Sequence, residues 1–196
     1  MLKKISLVAV MAVSAFAMHS AEININNKDL EVGAKIDMGQ FNNTTEPNTV
    51  FLNARYLHGS DSHSDFTSSQ MHDYGEVGFL MKREIGDSDL SVGLGVKVNH
   101  TKKFTTIPLG LEGTYKLPAN LPVTLFLNGE FYYAPEVLSM EDAKDFLAYR
   151  ISLDVEVIEN GFITAGFRKL DTNYDNNSLG NNNYNQSVYA GFKFSF

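Results

Sequence analysis

Apolar residues occupy every second position along most of this chain, which is the period of a β-strand. In residues 90–99, the sequence LSVGLGVKVN sets leucine and valine against serine, glycine, lysine and asparagine. Similar alternation defines nine segments, at residues 29–39, 49–58, 74–85, 90–99, 107–115, 123–133, 147–157, 162–170 and 187–196. A shorter candidate strand lies at residues 22–26. The pattern predicts an all-β protein built from antiparallel strands.

The connections between these segments are short at some places and long at others. Residues 86–89 and 158–161 are tight turns, and the second contains the Asn-Gly pair that favours hairpins. The longer, polar connections are residues 58–73, 100–106, 134–146 and 171–185. A weak helical signal at residues 139–146 is interpreted as a single turn within a loop. Short turns at one end and long loops at the other are typical of an outer-membrane barrel.

The polar face of the strands carries charges of both signs among small polar residues. In a small barrel such groups point into the lumen, where they can pair. The predicted lumen charges are Lys97, Glu112, Glu130, Arg150, Asp154, Glu156 and Arg168. Because a buried unpaired charge is costly, we expect ion pairs that fill a closed or barely conducting interior.

The apolar face continues to the last residue, where Phe192, Phe194 and Phe196 alternate. A closing strand that faces lipid explains these three rings better than a soluble fold does. Tyrosines near strand ends suit an interfacial belt, namely Tyr56, Tyr74, Tyr115, Tyr133 and Tyr149. These features predict a small antiparallel up-and-down transmembrane β-barrel. An even strand number is required, so ten strands are favoured and eight are possible.

The first residues have the composition of a secretory signal peptide. Two lysines precede a nine-residue stretch that is apolar except for one serine. Ala15 and Ala17 then supply the small residues of a cleavage site. We expect a signal peptide at residues 1–17, with Ala21 as the second choice of cleavage site, and an outer-membrane β-barrel at residues 22–196.

Composition removes several classes of protein. The chain has no cysteine, which excludes disulfides, thiolate metal sites and a cysteine nucleophile. Its net charge of −7 argues against a nucleic-acid partner. Its aromatic content of 12% argues against a disordered chain. No apolar run reaches the about 20 residues that a membrane helix needs.

Three segments of the second half of the chain have distinctive sequences, namely GEFYYAP at residues 129–135, AGFRKLD at residues 165–171 and YAGFKFSF at residues 189–196. These segments resemble the YfaZ family of predicted outer-membrane proteins, and the likeness is strongest from about residue 123 onward. The alternating Phe192, Phe194 and Phe196 also resemble the C-terminal assembly signal of bacterial outer-membrane barrels. The resemblance implies an integral outer-membrane location, contact with outer-membrane lipid, and the barrel-assembly machinery as a partner during biogenesis. It implies no catalytic residues.

Residues with possible chemistry are few. Imidazole and carboxylate groups that could hold Zn²⁺ or Cu²⁺ cluster at His58, Asp61, His63 and Asp65. Their spacing follows no ligand template, so a solvated polar loop is the plainer interpretation and no metal or cofactor is predicted. His100 and Ser139 are only loosely suggestive of an outer-membrane lipid-modifying enzyme, since no motif joins them.

The predicted function is therefore non-enzymatic. We expect a small outer-membrane barrel with a structural or loop-display role and at most narrow-pore permeability. A lipid-modifying enzyme of the outer membrane and a soluble periplasmic β-barrel binding protein are the alternatives.

Overall fold

The computed structural model describes residues 19–41, 44–59, 73–86, 88–118, 123–174 and 181–196. The predicted signal peptide, residues 1–17, lies outside the described residues. The strands are β1 (Ser20–Ile25), β2 (Asp29–Asp37), β3 (Val50–Gly59), β4 (Tyr74–Glu84), β5 (Leu90–His100), β6 (Phe104–Thr106), β7 (Leu109–Lys116), β8 (Leu125–Ala134), β9 (Ser139–Glu141), β10 (Ala143–Ile158), β11 (Gly161–Tyr174) and β12 (Asn181–Ser195). Two single-turn 3-10 helices occupy Met38–Gln40 and Glu136–Leu138. Among the described residues, no helix is long and apolar enough to cross a membrane.

Ten strands form a closed antiparallel barrel. Each long strand pairs with the next long strand along the chain, from β1 through β5, β7, β8 and β10 to β12. β1 then pairs with the last part of β12, Ala190–Ser195, which closes the sheet into a barrel. The predicted all-β, up-and-down barrel and its favoured count of ten strands are confirmed.

The remaining two strands, β6 and β9, pair with each other and extend the wall beyond β7 and β8. The prediction of a helical turn within a loop at residues 139–146 is therefore wrong. Ser139 and Met140 lie opposite Thr106 and Thr105, so their backbone groups join a ladder. That pairing outweighs a weak local capping signal.

The Asn-rich segment is also more regular than predicted. Residues 171–185 were expected to form a loop, but β11 extends to Tyr174 and β12 begins at Asn181. Thr172 pairs with Asn182, and Asn173 with Asn181. Asparagine has low strand propensity, yet continued pairing satisfies the backbone of both strands.

Both described ends of the chain lie at the same end of the barrel, which we call the terminal end. The backbones of His19 and Phe196 exchange two hydrogen bonds there, with N–O distances of 3.1 and 2.8 Å. The turn at residues 159–160 and the connection between β2 and β3 lie at this end as well. The opposite end, which we call the loop end, carries β6, β9, the last residue of β3 and the first residue of β4.

The two faces of the wall differ in chemistry. Outward side chains at alternate positions are apolar and exposed, with Leu94 at 68% and Val188 at 71% exposure. Inward side chains include charged groups such as Glu31, Lys97 and Arg168, each less than 5% exposed. A polar interior inside an apolar exterior is the arrangement of a membrane barrel.

Candidate functional site

The barrel interior has three layers along its axis. The loop end holds an aromatic plug, which we define as Tyr74, Phe104, Phe146, Tyr174 and Tyr184. The middle holds a charge layer. The terminal end holds a cavity of about 400 Å³, which we call the terminal cavity. The layers differ because the strands point different residue types into the lumen at different heights along the barrel axis.

The aromatic plug fills the lumen at the loop end. The Phe104 ring lies 5.8 Å from Phe146, 6.3 Å from Tyr174 and 5.4 Å from Tyr184, measured between ring centroids. Tyr74 stacks on Phe146 at 6.3 Å, and these rings are almost fully buried. Tyr74 was predicted to lie in the outer aromatic belt, but its side chain points inward. It has the same parity along β4 as Glu76, to which its hydroxyl donates at 2.9 Å.

The charge layer contains six carboxylates and five cations that contact one another. Its members are Glu22, Asp29, Glu31, Lys35, Arg55, Glu76, Lys97, Glu112, Glu130, Arg150 and Arg168. Every one of these side chains lies within ion-pair distance of at least one opposite charge. Mutual compensation is what allows so many charges inside a narrow lumen.

Glu31 is the most heavily engaged carboxylate, at 1% side-chain exposure. It accepts two hydrogen bonds from the guanidinium of Arg150, at 2.7 and 2.8 Å, in a bidentate arrangement. Arg168 donates to it at 2.6 Å and also pairs with Asp29 at 3.2 Å. Asn24 donates a further hydrogen bond at 2.8 Å. Glu31 therefore holds two arginines that come from β10 and β11.

Arg55 is the cation that contacts several carboxylates, as Glu31 is the carboxylate that contacts several cations. Arg55 lies 2.8 Å from Glu76, 3.1 Å from Glu22 and 3.3 Å from Glu130. Lys97 shares two of these carboxylates, at 3.1 Å from Glu76 and 3.0 Å from Glu130.

Several of these ion pairs cross the lumen. Arg150 on β10 reaches Glu31 on β2, and Arg55 on β3 reaches Glu130 on β8. Lys35 on β2 reaches Glu112 on β7 at 3.1 Å. Because the paired strands are not neighbours in the barrel, these side chains span the lumen and brace opposite walls.

Two tyrosines support the cations of the charge layer. The Lys97 ammonium lies 4.0 Å from the centroid of the Tyr132 ring, whose hydroxyl donates to Glu112 at 2.8 Å. Arg150 and Arg168 lie 5.3 and 5.6 Å from the ring of Tyr189. Inward-facing glycines make room for these rings, since a Cβ atom at Gly110 would overlap the ring of Tyr132.

The structure brings together most of the predicted lumen residues. Lys97, Glu112, Glu130, Arg150 and Arg168 lie in the charge layer. Asp154 lies nearer the terminal end, where Lys193, Asn128 and Thr164 surround its carboxylate. Glu156 lies apart from the layer and accepts a hydrogen bond from the backbone of Asn160 at 3.3 Å.

Sequence reasoning missed the charged residues of the first four strands. They are Glu22, Asp29, Glu31, Lys35, Arg55 and Glu76. Their signal was present, because Asp29, Glu31 and Lys35 alternate with the apolar residues of β2. The alternation places these residues on the polar face of their strands, but the predicted set of lumen charges left them out.

Three of the four weak metal-ligand candidates, Asp61, His63 and Asp65, lie outside the described residues. His58 Nδ1 lies 2.7 Å from Asp73 Oδ1, and hydrogen bonds from Tyr56 and His58 lower the pKa of Asp73 below its ordinary value. Within the described ranges, no group of three or more histidine, aspartate or glutamate side chains is placed to hold a metal ion.

The two residues with loosely suggestive enzymatic chemistry have other partners. His100 Nδ1 lies 2.9 Å from the Thr105 hydroxyl. Ser139 donates its hydroxyl hydrogen bond to the carbonyl oxygen of Pro135 at 3.1 Å. These contacts do not join the two residues as a nucleophile and a base.

The C-terminal phenylalanines line the seam between the first and last strands. Phe192 and Phe194 on β12 lie opposite Ile23 and Ala21 of β1. Phe196 follows β12, and its ring contacts His19 edge-on at 5.9 Å. The three rings are 39–53% exposed. Phe192 and Phe194 share the outer apolar face of β12 with Val188.

Comparisons with known proteins found a matching family model and similar solved structures. A family model described as YfaZ precursor matches residues 2–196. A solved structure titled KdgM porin is similar at a TM-score of 0.45 and 8% identity, over 91% of this chain and 98% of that chain. The comparison with curated proteins found no match.

Proposed function

This chain belongs to the YfaZ family, and from that premise we propose that it is an integral protein of the bacterial outer membrane with a closed lumen. Its role is structural, as a membrane anchor that displays the connections of the loop end. Transport through the lumen is at most slight. The side-chain layers that fill the barrel carry this proposal.

The outer surface supports a membrane location. Val77, Met81, Leu94 and Val188 are each 59–71% exposed on the outer face. Apolar surface in water costs about 25 cal/mol per Å², and the outer face carries many such side chains. Contact with lipid removes that cost, whereas a soluble periplasmic barrel would keep this apolar surface exposed to water. The terminal end then faces the periplasm and the loop end faces outward.

The carrying observation is that two different layers fill the lumen in series. The aromatic plug packs ring against ring at the loop end. Beneath it, Arg150–Glu31 and Arg55–Glu130 cross the lumen. A small barrel is just wide enough for side chains to fill, which suits this packing.

Conductance in planar lipid bilayers tests the proposal. We expect no discrete single-channel steps from the wild-type barrel. Phe104→Ala combined with Phe146→Ala should also give none, because the charge layer still spans the lumen below the plug. An open porin in the same preparation is the control. Discrete steps from the wild-type protein would contradict a closed lumen.

The position of β1 predicts where the signal peptide is cleaved. His19 exchanges backbone hydrogen bonds with Phe196, and Ala21 pairs with Phe194. Cleavage after Ala21 would remove these contacts from the barrel seam. We expect intact-mass spectrometry of the mature protein to give a chain that begins at Met18. A mass corresponding to a start at Glu22, four residues later, would refute this prediction.

A further inference from the structure

The terminal cavity has the size and the walls of a ligand site. Its volume of about 400 Å³ lies within the range of about 300–1,000 Å³ that is usual for small-molecule pockets. Phe51, Phe126 and Phe162 line it, and the last two rings pack edge to face at 5.8 Å. Ser20 and Ser195 also line it, which places its mouth at the terminal end. The charge layer and the plug close its other end.

Four lysines line this cavity, Lys35, Lys82, Lys116 and Lys193, of which Lys116 is exposed, and the other three differ in their partners. Lys35 pairs with Glu112 at 3.1 Å, and Lys193 pairs with Asp154. The Lys82 ammonium instead donates to the Thr114 hydroxyl at 3.1 Å. Within the part of the chain that the structure describes, no carboxylate forms an ion pair with Lys82.

The hydroxyl that accepts from Lys82 belongs to a chain of hydrogen-bonded side chains in the cavity wall, and Glu84 and Glu112 line the same cavity without forming an ion pair with Lys82. The Thr114 hydroxyl donates onward to Asn128 Oδ1 at 3.0 Å, and Asn128 donates to Asp154 at 2.9 Å. Asp154 already forms an ion pair with Lys193. A half-buried ammonium group that hydrogen-bonds only to a neutral hydroxyl lacks an ion-pair partner. An anion that enters the cavity would supply that partner.

We propose that the terminal cavity binds a small amphipathic anion. Its carboxylate or phosphate group pairs with the Lys82 ammonium, and its apolar body packs against the phenylalanine walls. Lysine is a common phosphate-binding side chain, and aromatic faces supply the apolar contact. The assignment of the mouth to the periplasm rests on the proposed function, whereas the binding itself rests only on the cavity.

Calorimetric titration of the purified barrel in nanodiscs of zwitterionic lipid tests this proposal. The probe is phenyl phosphate at low salt, compared with inorganic phosphate and with the cation benzylamine. We expect phenyl phosphate to bind more tightly than either. Lys82→Gln should weaken its binding at least tenfold, whereas Lys82→Arg should largely keep it. Phe126→Leu should weaken it at least threefold, because the ring wall is lost.

Arg83→Gln is the matched control, since Arg83 is the next residue on β4 and its side chain is exposed. It should bind phenyl phosphate as the wild type does. Heat-dependent gel mobility verifies that each variant is folded, and Phe126→Leu provides the test if Lys82→Gln does not fold. No binding to the wild type, equal binding by Lys82→Gln, or equal affinity for benzylamine would overturn the proposal. Absent binding with a non-conducting barrel would leave the proposed function standing.

Discussion

Replacing Glu31 with glutamine should lower the free energy of unfolding of the barrel by about 3–5 kcal/mol, the usual cost of removing one partner from a buried ion pair. Glu31 is 1% exposed and binds both Arg150 and Arg168. Glutamine keeps the shape of the side chain but removes the negative charge that the two arginines share. The measurement is urea unfolding in lipid vesicles, in which heat-dependent gel mobility reports the folded fraction at each urea concentration.

Two comparisons isolate the charge of Glu31. Glu46→Gln is the control, because Glu46 is exposed in the connection between β2 and β3, and its effect should stay within about 0.5 kcal/mol. Arg150→Met in the Glu31→Gln background should recover part of the loss, since it removes one of the two cations that Glu31 compensates. A loss no larger than that of the control would mean that Asp29 and Glu130 suffice to hold the arginines.

The alternation of side chains was enough to predict the barrel, because the direction of a side chain in a strand is a local property. Residues 90–99 were predicted as a strand, and β5 spans Leu90–His100. The same parity places Glu31 and Arg150 on the polar face. The even strand number and the apolar C-terminal strand then predicted a closed barrel of ten strands, which the structure has.

The partners inside the lumen could not be predicted in this way. Parity places Glu31 inside, but its bidentate partner Arg150 lies 119 residues later in the chain. The stagger of the strands in the closed sheet decides which charged side chains come into contact. The local sequence pattern does not determine that stagger. The aromatic plug was missed for a related reason. Phe104 lies in a segment predicted as loop, and its pairing as β6 depends on the distant β9.

Glycines inside and outside the barrel should respond in opposite ways to the addition of one methyl group. Gly110→Ala should destabilise the barrel by about 1–3 kcal/mol, the usual range for overpacking. A Cβ atom there would overlap the carbonyl oxygen of Phe131 and the ring of Tyr132. The backbone oxygen is fixed by the ladder. The ring cannot shift without disturbing its hydrogen bond to Glu112.

Gly129→Ala is the matched control. Gly129 lies on the neighbouring strand β8, and a Cβ atom there meets no atom within 4 Å. Alanine also loses less backbone entropy than glycine on folding, so this variant should be neutral or slightly stabilising. Unfolding in lipid vesicles compares the two directly. If both variants have the same stability, Tyr132 can repack freely, and the inward glycines are not what positions the aromatic supports of the charge layer.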